Sequence, residues 1–259
     1  MTVRRILLLL LVGAIGGFLS GMFGVGGGII MVPLFVLLCG LDQRHASATS
    51  LVAIVPSAIS GAVQYAVAGH LDLVAGLLIA AGGVAGSLVG TRLLKTLPLG
   101  WLRWLFIALL VVTAVRLLFE VPSRGADVVL TPGTIAALVV LGLVMGVASG
   151  LFGIGGGVIA VPVLITLFGA SDLIAKGTSL LAMIPTALTG SIANARNGLV
   201  RPLDGIIAGV AATAASFGGV AVAFLLSPQL ASILFAVLLI VAITQMVLRA
   251  VRDHRKAAQ

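Results

Sequence analysis

LSGMFGVGGGIIMVP, residues 19–33, breaks an otherwise apolar run with glycine at 24, 26, 27 and 28. Each glycine inside a helix costs about 1 kcal/mol relative to alanine, so a cluster of four calls for a reason. The break returns as ASGLFGIGGGVIAVP, residues 148–162, identical at ten of fifteen positions. The same offset of 129 residues aligns TSLVAIVPSAISG, residues 49–61, with TSLLAMIPTALTG, residues 178–190, identical at seven of thirteen. Chance likeness between apolar helices would not keep Gly, Pro, Thr and Ser in step. The chain is therefore read as an internal duplication, a first transmembrane repeat over 1–125 and a second over 126–259, together one membrane domain. The boundary falls in the polar run EVPSRGAD, residues 120–127.

Composition sets the medium. The 259 residues are 61% hydrophobic and 8% charged, with a mean hydropathy of +1.31. A soluble domain carries about 25% charged residues, so this chain cannot cover itself with polar groups in water. Long apolar blocks without period-two alternation indicate an all-α integral membrane protein rather than a barrel. The net charge of +8 comes from fifteen Lys and Arg scattered at block ends, without the concentrated basic face that nucleic-acid binding requires. Cys39 stands alone, which excludes a disulfide framework and a cysteine metal site. The opening MTVRR and the apolar residues 6–12 resemble a signal peptide. A similar segment precedes the second glycine cluster, so residues 1–23 are read as a retained helix.

Each half has five apolar blocks, in the first half about 6–23, 29–40, 46–68, 73–94 and 104–119. If the first two make no net crossing, Arg4, Arg5, Arg44, Arg92, Lys95, Arg103, Arg196, Arg201, Arg249, Arg252, Arg255 and Lys256 fall inside, and Arg116, Arg124 and Lys176 outside. If that pair crosses once, the twelve-to-three split weakens to ten against five. The positive-inside rule prefers the first arrangement, which leaves both termini cytoplasmic and the repeats inverted. Block 29–40, twelve residues, makes about 18 Å of helix against a hydrocarbon core of about 30 Å. The glycine turn is thus expected inside the membrane, between a broken or re-entrant helix pair, with three transmembrane helices completing each repeat.

Non-helical backbone at that depth must be buried in protein or line a wet cavity. Gly24, Gly26, Gly27 and Gly28, with Gly153, Gly155, Gly156 and Gly157, would present bare amide donors at a helix N-terminus, which suits an anion. Pro33 and Pro162 are expected in the first turn of the helices that follow. The competing reading is close helix packing, which accounts for glycines spaced by four such as Gly17 and Gly21, or Gly82, Gly86 and Gly90. Consecutive glycines exceed what packing alone needs, so the anion turn is preferred there. Pro56 and Pro185 are expected to kink their helices, each seven residues after a Thr-Ser pair. Thr49, Ser50, Thr178 and Ser179, with Ser20 and Ser149, are candidate lining residues, unless the hydroxyls only satisfy their own helices. Gln64, Asn194 and Asn197 at helix ends are read as interfacial. All seven carboxylates fall in loops or at block ends, so no mid-membrane proton relay is visible. No catalytic constellation, metal cluster or cofactor motif emerges, and the chain is read as a non-enzyme without metal or cofactor.

The doubled Ser-Gly-x-Phe-Gly-x-Gly-Gly-Gly followed by Val-Pro, with a Thr-Ser…Pro helix behind each copy, resembles the TauE/SafE family of bacterial membrane transporters, the sulfite exporter group. The likeness covers nearly the whole chain, and no glycine or proline of the motif departs from it. It implies a multi-pass permease of the bacterial plasma membrane for a small sulfur-containing anion, such as sulfite or an organosulfonate, working in export. The partners expected are that anion and the lipid bilayer, with no nucleic acid; a homo-oligomer is left open. The alternative from a different class is a membrane-embedded structural or assembly partner that transports nothing.

Overall fold

The computed structural model describes residues 1–119 and 131–257. Its helices are α1 (Val3–Phe23), α2 (Gly28–Leu38), α3 (Gln43–Val67), α4 (Leu73–Thr96), α5 (Leu99–Phe119), α6 (Pro132–Phe152), α7 (Gly157–Phe168), α8 (Asp172–Arg196), α9 (Pro202–Leu225) and α10 (Pro228–Ala257). Among the described residues there is no strand. The lengths repeat: α1 and α6 have 21 residues each, α2 and α7 have 11 and 12, α3 and α8 have 25, and α4 and α9 have 24. The polar boundary at 120–127 lies outside the described residues. Among the described residues, seven helices are long and apolar enough to cross a membrane, whereas α2 and α7 are too short.

Helix ends follow the local chemistry. Asp42, Asp72 and Ser171 cap α3, α4 and α8 through their side chains, and Thr131 closes a capping box before Pro132. Burial opposes ionisation of Asp42, but the amides of His45 and Arg44 and the His45 imidazole outweigh it and hold the carboxyl below its usual range. α1 and α6 both stop at a left-handed glycine, Gly24 and Gly153.

The most extensive helix contacts join the two halves, α4 with α6 and α1 with α9. On α1, Gly13, Gly17 and Gly21 lie against Ala208, Ala212 and Ser216 of α9. On α6, Gly142, Gly146 and Gly150 lie against Ile79, Gly83 and Ser87 of α4. Both series rise together, so each pair runs parallel, with backbones in direct contact. This is the packing reading of the four-spaced glycines, realised between repeats rather than within one. α3 and α8 run antiparallel, with Tyr65 beside Gly177, Gly61 beside Leu180 and Leu51 beside Gly190. α9 follows α3 in parallel, Gly205 on Val52 and Gly209 on Pro56. α1, α3 and α9 therefore share one direction, and α4, α6 and α8 the other. α2 turns back along α1, its Met31 against Gly16, so the α1–α2 pair makes no net advance.

These directions gather one end of the bundle. Arg4 and Arg5 start α1, Arg44 starts α3, Arg92 and Lys95 end α4, Arg196 ends α8 and Arg201 precedes α9. Arg5 pairs with Asp204, and Arg44 reaches the Leu97 carbonyl at 2.6 Å. Of the described Lys and Arg side chains on α1–α9, Lys176 stands at the other end.

The packing can be checked by adding bulk. A methyl group at Gly17 would overlap the Ala212 backbone and one at Gly146 the Gly83 backbone, whereas at Gly218 it would meet only the Phe18 ring, at 3.7 Å. Gly17→Leu and Gly146→Leu are expected to cost about 3 kcal/mol or more and Gly218→Ala almost nothing. Thermal unfolding and the monodisperse fraction in detergent measure both.

Candidate functional site: the paired glycine turns

The two glycine turns meet each other in the middle of the fold, and every residue from Gly24 to Gly28 and from Gly153 to Gly157 is buried. Gly24, Gly26 and Gly27 have φ of 68°, 79° and 67°, and Gly153, Gly155 and Gly156 have 71°, 77° and 91°. This left-handed backbone is strained for any residue with a Cβ, which accounts for three glycines in each turn. The fourth is a matter of space. A Cβ on Gly28 would strike the Gly153 carbonyl, and one on Gly157 the Gly24 carbonyl. Gly26 and Gly155 face each other, with Met183 beside both. What the absent side chains of Gly26, Gly28, Gly155 and Gly157 make room for is therefore the opposite turn, whereas Gly24 and Gly153 lie on α8 and α3 and Gly27 and Gly156 on α1 and α6.

The amides are a separate matter. Gly24 and Gly153 donate to Ser20 and Ser149 carbonyls at 2.8 Å, completing α1 and α6. The next three amides in each turn, Val25, Gly26 and Gly27 with Ile154, Gly155 and Gly156, donate to no acceptor among the described residues. α2 and α7 start immediately after them, so two half-length helices present their positive ends at the centre. Buried amides are paired almost everywhere in folded proteins. A double set without acceptors, at two helix N-termini, is a place where negative charge is stabilised.

Pro33 and Pro162 each occupy the sixth residue of their helices rather than the first turn. There they release the carbonyls of Ile29 and Val158, four residues earlier. Even counted from the apolar blocks at Ile29 and Val158 the prolines are fifth residues, past the first turn of 3.6 residues, and the helices begin one residue earlier, at Gly28 and Gly157. Pro56 and Pro185 lie inside α3 and α8, as expected.

The Thr-Ser pairs divide their work between the halves. Ser50 Oγ donates to the Gly153 carbonyl at 2.6 Å and Ser179 Oγ to the Gly24 carbonyl at 2.6 Å, each latching the turn of the other half. Each also lies within 2.9 Å of a carbonyl of its own helix, Ser47 and Lys176. Thr49 and Thr178 instead accept from the amides of Arg201 and Asp72, pinning the starts of α9 and α4. Ser20 and Ser149, one turn before Gly24 and Gly153, are fully buried, and their hydroxyls have no partner among the described residues.

Sequence reasoning missed three features. Asn194, read as interfacial, is fully buried with both amide atoms unpartnered; Gln64 bonds Ser60 and Asn197 ends α8. Lys176 and Asp172, read as loop and block-end charges, are buried together at 2.7 Å in the first turns of α8, where the Lys176 stem packs on Gly24. The repeat offset carried the signal for this pair, because the equivalent positions are Ser47 and Gln43. Among the described residues no group of three or more His, Cys, Asp or Glu is placed to hold a metal. A hollow of about 540 Å³ lined by Arg5, Arg201 and Asp204 opens at the start of α1 and α9, apart from the turns.

A helical membrane protein with two half-helices meeting end to end at its centre defines a class, and comparison with known proteins places the chain within it. The model of the sulfite exporter TauE/SafE family matches residues 1–117 and 138–259, and the chain belongs to that family. It is 29% identical over 197 residues to the probable membrane transporter protein YdhB of Bacillus subtilis, covering 75% of this chain and 80% of that one. It is 31% identical over 211 residues to a probable membrane transporter protein of Haemophilus influenzae, covering 76% of each. No solved structure matches the chain. Family and fold together make it a multi-pass membrane transporter.

Ser50→Ala and Ser179→Ala each leave a buried turn carbonyl without its donor. Each is expected to cost about 1–3 kcal/mol, read as a lowered unfolding temperature in detergent, with Thr96→Ala at an exposed helix end as an unaffected reference.

Proposed function

We propose that the chain is a permease for a small oxyanion, and that the paired turns are its binding centre. The observation that carries this reading is the set of six buried amides without acceptors at the facing N-termini of α2 and α7. A desolvated anion would supply the missing acceptors. The family description supports a sulfur-containing cargo such as sulfite or an organosulfonate. Moving one negative charge out of a cell with a negative interior gains about 2.3 kcal/mol per 100 mV, so export proceeds without a coupling ion.

In this proposal residues 1–125 and 126–259 are inverted repeats that rock against each other around the centre. The antiparallel run of the equivalent helices α3 and α8 supports that arrangement. So does the gathering of basic residues at the end that carries the starts of α1 and α3, which is assigned to the cytoplasm of a bacterial inner membrane. A second reading, a membrane-embedded scaffold, is favoured by one specific observation: the Cα faces of Gly26, Gly28, Gly155 and Gly157 are filled by the opposite turn.

Purified protein in liposomes separates these readings. Sulfite, sulfate, thiosulfate and methanesulfonate are offered in turn, and the permease is expected to move at least one of them downhill. A scaffold moves none. For orientation, single cysteines at Thr96 and Ala68 in a Cys39→Ser background are labelled in cells with an impermeant reagent. Ala68→Cys is expected to react from outside and Thr96→Cys only after the membrane is opened; the reverse pattern overturns the topology.

A further inference from the structure

The two ends of the centre share one scaffold and carry different chemistry. At the Gly24 turn three polar positions are spoken for, since Lys176 Nζ bonds Asp172 and Tyr65 Oη donates to the Gly21 carbonyl at 2.9 Å. Ser20 Oγ is unpartnered like its repeat equivalent Ser149 Oγ and so does not distinguish the two ends. The offset of 129 places Ser47 and Gln43 at the corresponding positions of the Gly153 turn, and Asn194 opposite Tyr65 in the repeat frame. None of these is settled. Ser47 Oγ, Gln43 Nε2 and both amide atoms of Asn194 are buried without a partner among the described residues, as is Ser149 Oγ. Ser47, Asn194 and Ser149 are fully buried, and Gln43 is 3% exposed.

Two such groups, Ser47 and Asn194, fall at one level of the bundle, with Gln43 one turn nearer the start of α3. Gln43 and Ser47 share a face of α3 at a spacing of four. α3 and α8 run antiparallel through Leu51 and Gly190, so one turn before Leu51 and one turn after Gly190 brings Ser47 level with Asn194. Ser47 abuts Gly153 through its carbonyl, and Ser149 sits one turn before Gly153. Buried polar atoms without partners destabilise a fold. A fold that satisfies the same positions at its other end has no architectural need for them here.

We propose that Ser47 and Asn194, with Gln43 one turn away, form a neutral hydrogen-bonding subsite for the oxygens of an oxyanion, at the Gly153 turn and not at the Gly24 turn. This rests on the permease reading and adds the half of the centre in which the cargo is held. The hydroxyl and amide groups donate to the anion's oxygens together with the free amides of Ile154, Gly155 and Gly156, whose donors lie on the same turn. A neutral donor set suits transport, because it replaces the hydration of the anion without a counter-charge that would hold it. At the other end Lys176 is neutralised by Asp172 and offers no competing charge. The subsite lies toward the end with Arg44, Arg196 and Arg201, where surface charge concentrates anions.

The test uses the full-length protein in liposomes with sulfite and methanesulfonate as probes, and thermal unfolding in detergent with and without each probe. Ser47→Ala and Asn194→Ala are expected to raise KM about tenfold or more with Vmax within about twofold, and to lose the stabilisation that the probe confers on the wild type. Asn194→Asp, which places a negative charge in the subsite, is expected to abolish transport while unfolding at a temperature near that of Asn194→Ala. Unchanged KM and unchanged probe stabilisation in folded Ser47→Ala and Asn194→Ala, with the wild type transporting, overturn the subsite and leave the permease reading standing. A wild type that moves neither probe nor the other anions of the panel removes both.

Discussion

Backbone that leaves the helix inside a membrane must find hydrogen bonds within the protein, because the hydrocarbon offers none. In this chain that constraint acts at two turns, and each turn is handled by the other half of the molecule. Ser50 serves Gly153 and Ser179 serves Gly24, while Gly28 and Gly157 let the two backbones touch. Neither half can place its own turn alone. The parallel pairing of α1 with α9 and of α4 with α6, glycine against backbone, holds the exchange in register.

This mutual dependence explains why the duplicated segments retain small and hydroxylated residues at matching positions. Glycine at 24, 26 and 27 answers to φ, glycine at 28 to contact with Gly153, and serine at 50 to the Gly153 carbonyl. Each of these demands recurs 129 residues later with the same residue type. Where the demand differs the residues differ as well, as with Lys176 and Ser47. The departures from the repeat are where the molecule's two ends acquire separate chemistry.

A centre built this way reconciles the two readings of the glycines. Their Cα faces are used for packing and, in the proposed permease, their amides serve the anion, so that one backbone conformation allows both. The Gly24 and Gly153 carbonyls accept from the serine latches, and the next amides of each left-handed turn have no partners among the described residues. No titratable side chain is needed at the turns themselves, in keeping with carboxylates that lie in the first turns of helices and pair with Arg5 or Lys176.

By itself the sequence determined that the chain lives in a bilayer as helices, that its motifs are doubled, and that the apolar block 29–40 is too short to cross alone. These follow from composition, offset and length, which are local quantities. It also located the turns, because glycine in a helix is penalised wherever the helix goes. Only the tertiary structure decided what the turns touch. The serine latches cross between halves, Asn194 is buried although it lies near a helix end, and Lys176 with Asp172 is enclosed although both read as loop charges. The physical reason is that burial near the end of a helix depends on what packs beside it. In this fold the neighbour comes from a segment more than a hundred residues away.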